Sequence, residues 1–204
     1  MADRETLAAY AANTETYRKV VSDAGGNAML DDFMKQLPPQ ACVLDFGCGV
    51  GNCAAVMQAA GHLVTCQDAS PEMAAMACDL FGLEVEIMSF DKLELETAFD
   101  AVWASFSLLH IPKSDLPDIL ARLHLALRPG GLLYVGLKRG SGEERDRFGR
   151  FYAYYEEEEL AGHIRKAGLN PISVMHDDIV GMSGTVEPCL HVTSRKPGCL
   201  FRLL

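Results

Sequence analysis

Positive charge is scarce in this 204-residue chain: 18 Lys and Arg face 28 Asp and Glu, for a formal net charge of -10. With no basic run to neutralise phosphates along a duplex, generic nucleic-acid binding is disfavoured. Long apolar runs are missing as well. The longest, Gly130 to Leu137, falls far short of the roughly 20 residues that a bilayer-spanning helix needs, so no membrane association is expected. The opening Met-Ala-Asp-Arg-Glu-Thr has neither the apolar core nor the small-residue cleavage site of a secretory signal, and the expected compartment is the cytoplasm. The seven cysteines form no Cys-x-x-Cys pair and accompany no histidine pair at ligand spacing, so neither a metal site nor a disulfide framework is expected. Repeats, low-complexity tracts and Ser/Gly linkers are also missing.

What is present is an ordinary globular composition, 49% hydrophobic and 23% charged, enough for one domain with a sizeable core. From about residue 41 onward, short apolar runs alternate with longer amphipathic ones, the pattern of a βαβ series. Ala41 to Asp45, Leu63 to Gln67, Glu84 to Met88, Phe99 to Ala104 and Leu132 to Leu137 read as five buried strands, with two more near Pro171 to Met175 and Leu190 to Arg195. Helices are predicted over Cys53 to Ala60, Pro71 to Phe81, Ser114 to Leu127 and Glu156 to Ala167. Ser70 and Pro71 give the second a cap and a preset first turn, and Pro129-Gly130-Gly131 is expected to end the third. The acidic run Glu156 to Glu159 suits a helix N-terminus. Residues 1 to 36 read as a mainly helical cap or lid, with Tyr10, Val20 and Val21 among its apolar positions, ahead of a single domain over 37 to 204. The expected fold is a doubly wound α/β sheet.

Val43-Leu44-Asp45-Phe46-Gly47-Cys48-Gly49-Val50-Gly51 is the most informative stretch: an apolar strand runs into three glycines spaced two apart. Glycine permits a tight turn and the close approach of a ligand. A dinucleotide fingerprint would need a third glycine where Asn52 stands, and Asp45 sets a carboxylate where a pyrophosphate would be repelled. The turn therefore suits a cationic group. Twenty-three residues on, Asp68 closes the second strand, where a carboxylate can accept from the vicinal hydroxyls of a ribose.

Asp-x-Gly-x-Gly-x-Gly after strand one, Asp-x-Ser-Pro-x-Met after strand two, Phe-Asp-x-Val-Trp-Ala in strand four and Leu-Arg-Pro-Gly-Gly before strand five together resemble class I S-adenosylmethionine-dependent methyltransferases over residues 40 to 196. The resemblance implies a seven-stranded sheet whose last strand is antiparallel, and a methyltransferase using S-adenosylmethionine on a small-molecule acceptor. It also implies a cofactor site. Asp45, Phe46, Gly47, Cys48 and Gly49 would line the methionine part, Asp68 would hold the ribose, and Ala69 and Met73 would flank ribose and adenine. Phe90 and Asp91 would meet the adenine, unless Asp91 only serves its local backbone. Ala104 and Ser105 would close the site beneath the sulfonium.

Methyl transfer from a sulfonium is an in-line displacement from an activated leaving group, so positioning dominates and a base is optional. His110, just beyond strand four, is the candidate base; the alternative is a histidine that shapes its loop. Tyr17, seven residues after Tyr10, either covers the cofactor or packs ordinarily. Between Lys138 and Arg150, five basic residues precede Phe151-Tyr152-Ala153-Tyr154-Tyr155, which suits either an anionic or aromatic acceptor or a solvated loop. Trp103 reads as core. The competing functions are a non-catalytic S-adenosylmethionine-binding or regulatory domain, and a dinucleotide-dependent oxidoreductase, against which Asn52 argues.

Overall fold

The structure is a computed structural model that describes residues 3–14, 16, 18, 27–180 and 184–198. Helices α1 (Arg4–Ala12) and α2 (Ala28–Met34) precede a series of alternating elements: β1 (Cys42–Phe46), α3 (Asn52–Ala59), β2 (Leu63–Asp68), α4 (Pro71–Phe81), β3 (Val85–Ile87) and β4 (Phe99–Ser105). Then come α5 (Leu116–Ala126), β5 (Leu127–Lys138), the hairpin β6 (Glu143–Arg145) and β7 (Phe151–Ala153), α6 (Glu157–Lys166), β8 (Asn170–Val180) and β9 (Val186–Arg195).

Seven strands form one sheet in the order β3-β2-β1-β4-β5-β9-β8, in which only β9 runs antiparallel to its neighbours. The order reverses between β1 and β4, and the carboxyl ends of those strands open the crevice where doubly wound sheets bind ligands. One face of the sheet is covered by α5 and α6, through residues such as Leu116, Leu120, Leu160 and Ile164 packed on Val102, Leu133 and Val135. The other face receives Leu30 and Phe33 of α2, which pack with Val43, Trp103 and Tyr134. α2 is thus a layer of the main core, and α1 lies apart from it, over the crevice.

Local chemistry explains the elements that build the site. Ser70 caps α4, its hydroxyl accepting from the Met73 N–H at 3.2 Å, with Pro71 in the first turn. Gly82 ends α4 in the left-handed region at φ 67°.

Two predicted features fall elsewhere. α5 stops at Ala126, before Pro129-Gly130-Gly131, because Leu127 turns extended (ψ 140°) and joins β5 opposite Phe99. The Pro-Gly-Gly segment lies inside β5 and exchanges backbone hydrogen bonds with Lys196. The stretch after Lys138 is not a solvated loop: Arg150, Tyr152 and Tyr155 are buried and β6 and β7 pair antiparallel.

Candidate functional site

A cavity of about 270 Å³ opens at the carboxyl ends of β1, β2 and β4 beneath α1. Asp45, at the penultimate position of β1, projects into it and is 3% exposed. Its carboxylate lies near the Ala54 N–H at the start of α3, and Oδ2 is buried with no hydrogen-bond partner. Burial, reinforced by nearby Cys66 and Asp68, pushes the Asp45 carboxyl well above the usual carboxylate range. A buried acceptor left open in this way is complementary to a cation.

Asp68, the last residue of β2, plays a different part. Its Oδ2 accepts from Gly49 N–H and its Oδ1 from Ser70 N–H, both at 2.8 Å, so it ties the glycine turn to the start of α4. Burial still outweighs these bonds and raises its pKa. Asp68 lines the cavity, and each oxygen retains capacity for a second donor. Asp68→Ala should therefore weaken binding of S-adenosylhomocysteine by about 1 to 3 kcal/mol and also loosen the turn; calorimetry, with urea denaturation of the free protein, reads both effects.

The glycine turn itself is held by Gly47 and Cys48 N–H donating to Gln67 O at 2.8 and 3.0 Å. The missing side chains have specific causes. At Gly47 (φ 78°) a Cβ would lie 2.4 Å from Ser107 Cβ, and at Gly51 (φ 80°) 2.4 Å from Leu83 Cδ1. These two glycines make room for protein packing more than for a ligand, which corrects the sequence-based reason for them.

Of the cofactor candidates, Asp45, Gly47, Cys48, Gly49, Asp68, Ala69, Met73, Phe90 and Ser105 share this cavity. Phe46 does not: its ring is fully buried against Phe90, 4.5 Å between centroids, and it reaches the site only through its carbonyl, which accepts from Ser107 Oγ at 2.7 Å. Ala104 points to the opposite face of the sheet, into the main core. Asp91 lies off the cavity wall and accepts from Ser89 Oγ at 2.7 Å, a local side-chain partner in place of the local backbone expected as the alternative. Tyr17 lies outside the described residues, as do Val20 and Val21.

His110 lines the cavity, but both ring nitrogens are engaged. Nδ1 meets the Phe151 carbonyl at 2.7 Å, and a carbonyl can only accept, so Nδ1 carries the hydrogen. Nε2 then accepts from the Tyr10 hydroxyl at 2.8 Å. His110 thus joins the loop after β4 to β7 and to α1, and its lone pair is taken. Burial, with Arg150 and Lys138 nearby, lowers its pKa to about 4. The unfolded chain therefore binds more protons than the folded one between about pH 6.5 and 4, and stability falls as pH falls through that window. The gap corresponds to up to about 3 kcal/mol, less where cavity water reaches the ring. His110→Gln should flatten the acid limb of a plot of urea midpoint against pH.

The hairpin clamps α1 over the cavity. Arg145 makes two 2.9 Å bonds to the Asp3 carboxylate, holding that group well below its ordinary range, and Phe151 N–H donates to Thr6 Oγ1 at 2.8 Å. Arg150, bonded to Asp146 at 2.6 Å, lies against the Tyr10 and Tyr152 rings. Tyr10, Asn27, Asn52, Trp103, Phe106 and Ser107 also line the cavity. Trp103 is core and wall at once, stacked on Tyr134 at 3.7 Å. Tyr10, Asn52 and Trp103 stand out in the sequence, though none of them as a site residue. The others arrive through register and turn geometry, Phe106 with a positive φ of 52°.

A doubly wound sheet with one reversed strand, and an acid-flanked glycine turn at its switch point, define a Rossmann-like domain with a ligand crevice. The methyltransferase-domain family profile matches residues 43–131. The chain is 31% identical over 150 residues to the 27-O-demethylrifamycin SV methyltransferase of Amycolatopsis mediterranei, covering 64% of this chain and 54% of that one. It is 33% identical over 129 residues to the trans-aconitate 2-methyltransferase of Deinococcus radiodurans, covering 62% and 49%. The chain spans about half or less of the length of the relatives it matches in sequence. Among solved structures, the Burkholderia thailandensis 1,6-didemethyltoxoflavin-N1-methyltransferase, with bound 1,6-didemethyltoxoflavin and S-adenosylhomocysteine, superposes with a TM-score of 0.75 at 25% identity, covering 95% of this chain and 88% of that one. Over residues 43–131 the chain is thus similar to methyltransferase domains, and its fold is that of the solved Burkholderia enzyme. Among the described residues no helix is long and apolar enough to cross a membrane, and no cluster of three or more His, Cys, Asp or Glu could hold a metal.

Proposed function

We propose that this chain transfers the methyl group of S-adenosylmethionine to a small-molecule acceptor. The observation that carries this reading is the unpartnered Oδ2 of Asp45, a buried acceptor in a cavity whose other walls are glycine backbone, Ala69, Met73 and Phe90. These residues fit the cofactor. Asp45 would face its ammonium, the free lone pairs of Asp68 its ribose hydroxyls, and Met73 and Phe90 the flat faces of its adenine. When bound, the group supplies an electrophilic methyl on a sulfonium.

The protein's own work is then to position and to exclude water. Leu7, Tyr10, Phe106 and Ile111 give the rest of the cavity an apolar and aromatic wall, which favours a neutral or aromatic acceptor. α1, clamped by the hairpin, would shield the space from solvent as a cap, whereas α2, also within residues 1–36, packs against the sheet. The small-molecule substrates named for the rifamycin, aconitate and toxoflavin relatives support the same acceptor class. The free cysteines Cys42, Cys48, Cys53, Cys66, Cys78 and Cys189 suit a reducing, cytoplasmic setting.

The test is a pair of titrations by calorimetry. S-adenosylhomocysteine is expected to bind with micromolar or better affinity and NADH not to bind; the reverse would overturn the assignment. Incorporation of labelled methyl into any of a panel of small metabolites separates a methyltransferase from a domain that only binds the cofactor.

A further inference from the structure

On the sheet face that carries Asp45 and Trp103, three neighbouring strands place Ser105 of β4, Gly136 of β5 and His191 of β9 side by side in register. Ser105 lies on the cavity wall. Tyr134, two residues before Gly136, extends its hydroxyl to His191 Nδ1 at 2.6 Å, and His191 Nε2 meets Asp177 Oδ1 of β8 at 2.7 Å. His191 is 4% exposed, whereas the Asp177 side chain is 38% exposed. None of the three belongs to the cavity described above.

Donor and acceptor capacity fixes the direction of this chain. The Asp177 carboxylate accepts, so Nε2 carries the imidazole hydrogen; Nδ1 then accepts from the Tyr134 hydroxyl. Ser105, in register with Gly136, brings its hydroxyl beside the Tyr134 oxygen, which it would meet as a donor. From Tyr134 outward, the hydroxyl and imidazole hydrogens point toward the surface carboxylate. Gly136 keeps the contact possible, since a Cβ there would sit 3.0 Å from Tyr134 Oη and 3.3 Å from His191 Nδ1. Phe106 closes the cavity side, its ring edge-on to His191 at 5.8 Å. The thiols beside the chain, Cys53 near Tyr134 and Cys189 near Asp177, are both pushed up to about 12 and add no charge.

We propose that Ser105, Tyr134, His191 and Asp177 form a proton relay from the cavity wall to the surface, and that the acceptor is therefore an oxygen or nitrogen nucleophile bearing a dissociable hydrogen. The inference rests on the methyl-transfer reading above. As the acceptor bonds to the methyl carbon, the methyl–sulfur bond breaks and sulfur keeps its electron pair. The acceptor's proton passes to Ser105 Oγ, Ser105 gives its own to Tyr134, and Tyr134 gives its own to His191 Nδ1. The imidazolium so formed is paired with Asp177 and returns a proton to solvent. Burial raises the Tyr134 pKa, which keeps that hydroxyl a neutral carrier. Ser105 touches the reacting molecules; Tyr134, His191 and Asp177 are positioning residues that act through it. His110, with both nitrogens held by Tyr10 and Phe151, offers no such exit.

The experiment is nitrogen NMR of the histidine-labelled full chain, with S-adenosylhomocysteine binding measured by calorimetry on the same samples. At neutral pH the His191 ring should be the Nε2–H tautomer. Ser105→Ala should move its titration midpoint by several tenths of a pH unit and Ser105→Thr should restore it. In a Tyr134→Phe background, Ser105→Ala should move it no further; Gly136→Ala should cut the same coupling. An Nδ1–H tautomer, a midpoint indifferent to Ser105, or an effect of Ser105 that survives loss of the Tyr134 hydroxyl would overturn the relay. Failure of the wild-type protein to bind S-adenosylhomocysteine would instead strike the methyl-transfer reading. With S-adenosylmethionine as donor and phenols, anilines and thioethers as probe acceptors, transfer confined to thioethers would overturn the acceptor class whatever the NMR result.

Discussion

Asp45→Asn should weaken S-adenosylhomocysteine binding at least tenfold while making the free protein more stable. The two effects have one cause. In the free protein the Asp45 carboxyl is buried, Oδ2 is unpartnered, and burial and two acidic neighbours raise its pKa. A raised folded-state pKa means that the protonated form is favoured by folding, so the contribution is full at acid pH and is lost as pH climbs toward the folded value. An amide of the same shape carries no such burden and should add about 1 kcal/mol or more to the unfolding free energy near neutral pH. A cationic ligand reverses the balance, and removing its charged acceptor costs about 1.5 to 3 kcal/mol of binding. The sign also predicts protons: below the free-state titration of Asp45, ligand binding should release up to one proton and tighten as pH rises. Calorimetry in buffers of different ionisation enthalpy measures that release, and a chemical-denaturation series measures the stability. Proton uptake on binding, or an Asn variant that binds normally, would show that Asp45 faces no cation.

Gly47→Ala should be the most damaging single change in the glycine turn. Its Cβ would fall 2.4 Å from the Ser107 Cβ, itself fixed by the 2.7 Å bond from its hydroxyl to the Phe46 carbonyl, and φ of 78° adds left-handed strain. Strain of about 1 to 2 kcal/mol and overpacking of about 1 to 3 kcal/mol are both expected. The urea midpoint should fall accordingly and cofactor affinity with it. Adding Ser107→Gly should recover part of the loss, because it removes the colliding atom and leaves only the strain. Gly61→Ala, at φ 91° but with nothing within 4 Å, isolates the strain alone and should cost less.

These contrasts mark how far the sequence could be read. The order of strands and helices was legible because period-two and helical patterns are local, and so was the pairing of Asp45 with Asp68, since both sit at strand ends separated by one βα unit. The closing reversed strand followed from the family likeness. What was not legible depends on contacts between distant segments. No local pattern reveals that Ser107 packs over Gly47, that Phe106 takes a positive φ to reach the cavity, or that Arg145 finds Asp3 across the chain. The family resemblance places Phe46 and Ala104 in the site, but a strand alternates sides, and their neighbours Asp45 and Ser105 occupy the crevice face. The basic stretch after β5 misled because Arg145 is answered by Asp3, remote in sequence, while Arg150 pairs locally with Asp146 and is buried against α1.

Trp103 is the sole indole in the chain, and it sits on the cavity wall against Tyr134. Emission excited beyond the tyrosine absorption band therefore comes from a single fluorophore at the place where a ligand would arrive. Occupancy, cap opening and changes in the stacked phenol should each alter its intensity or colour, so unlabelled protein can serve as its own optical reporter in stopped-flow mixing.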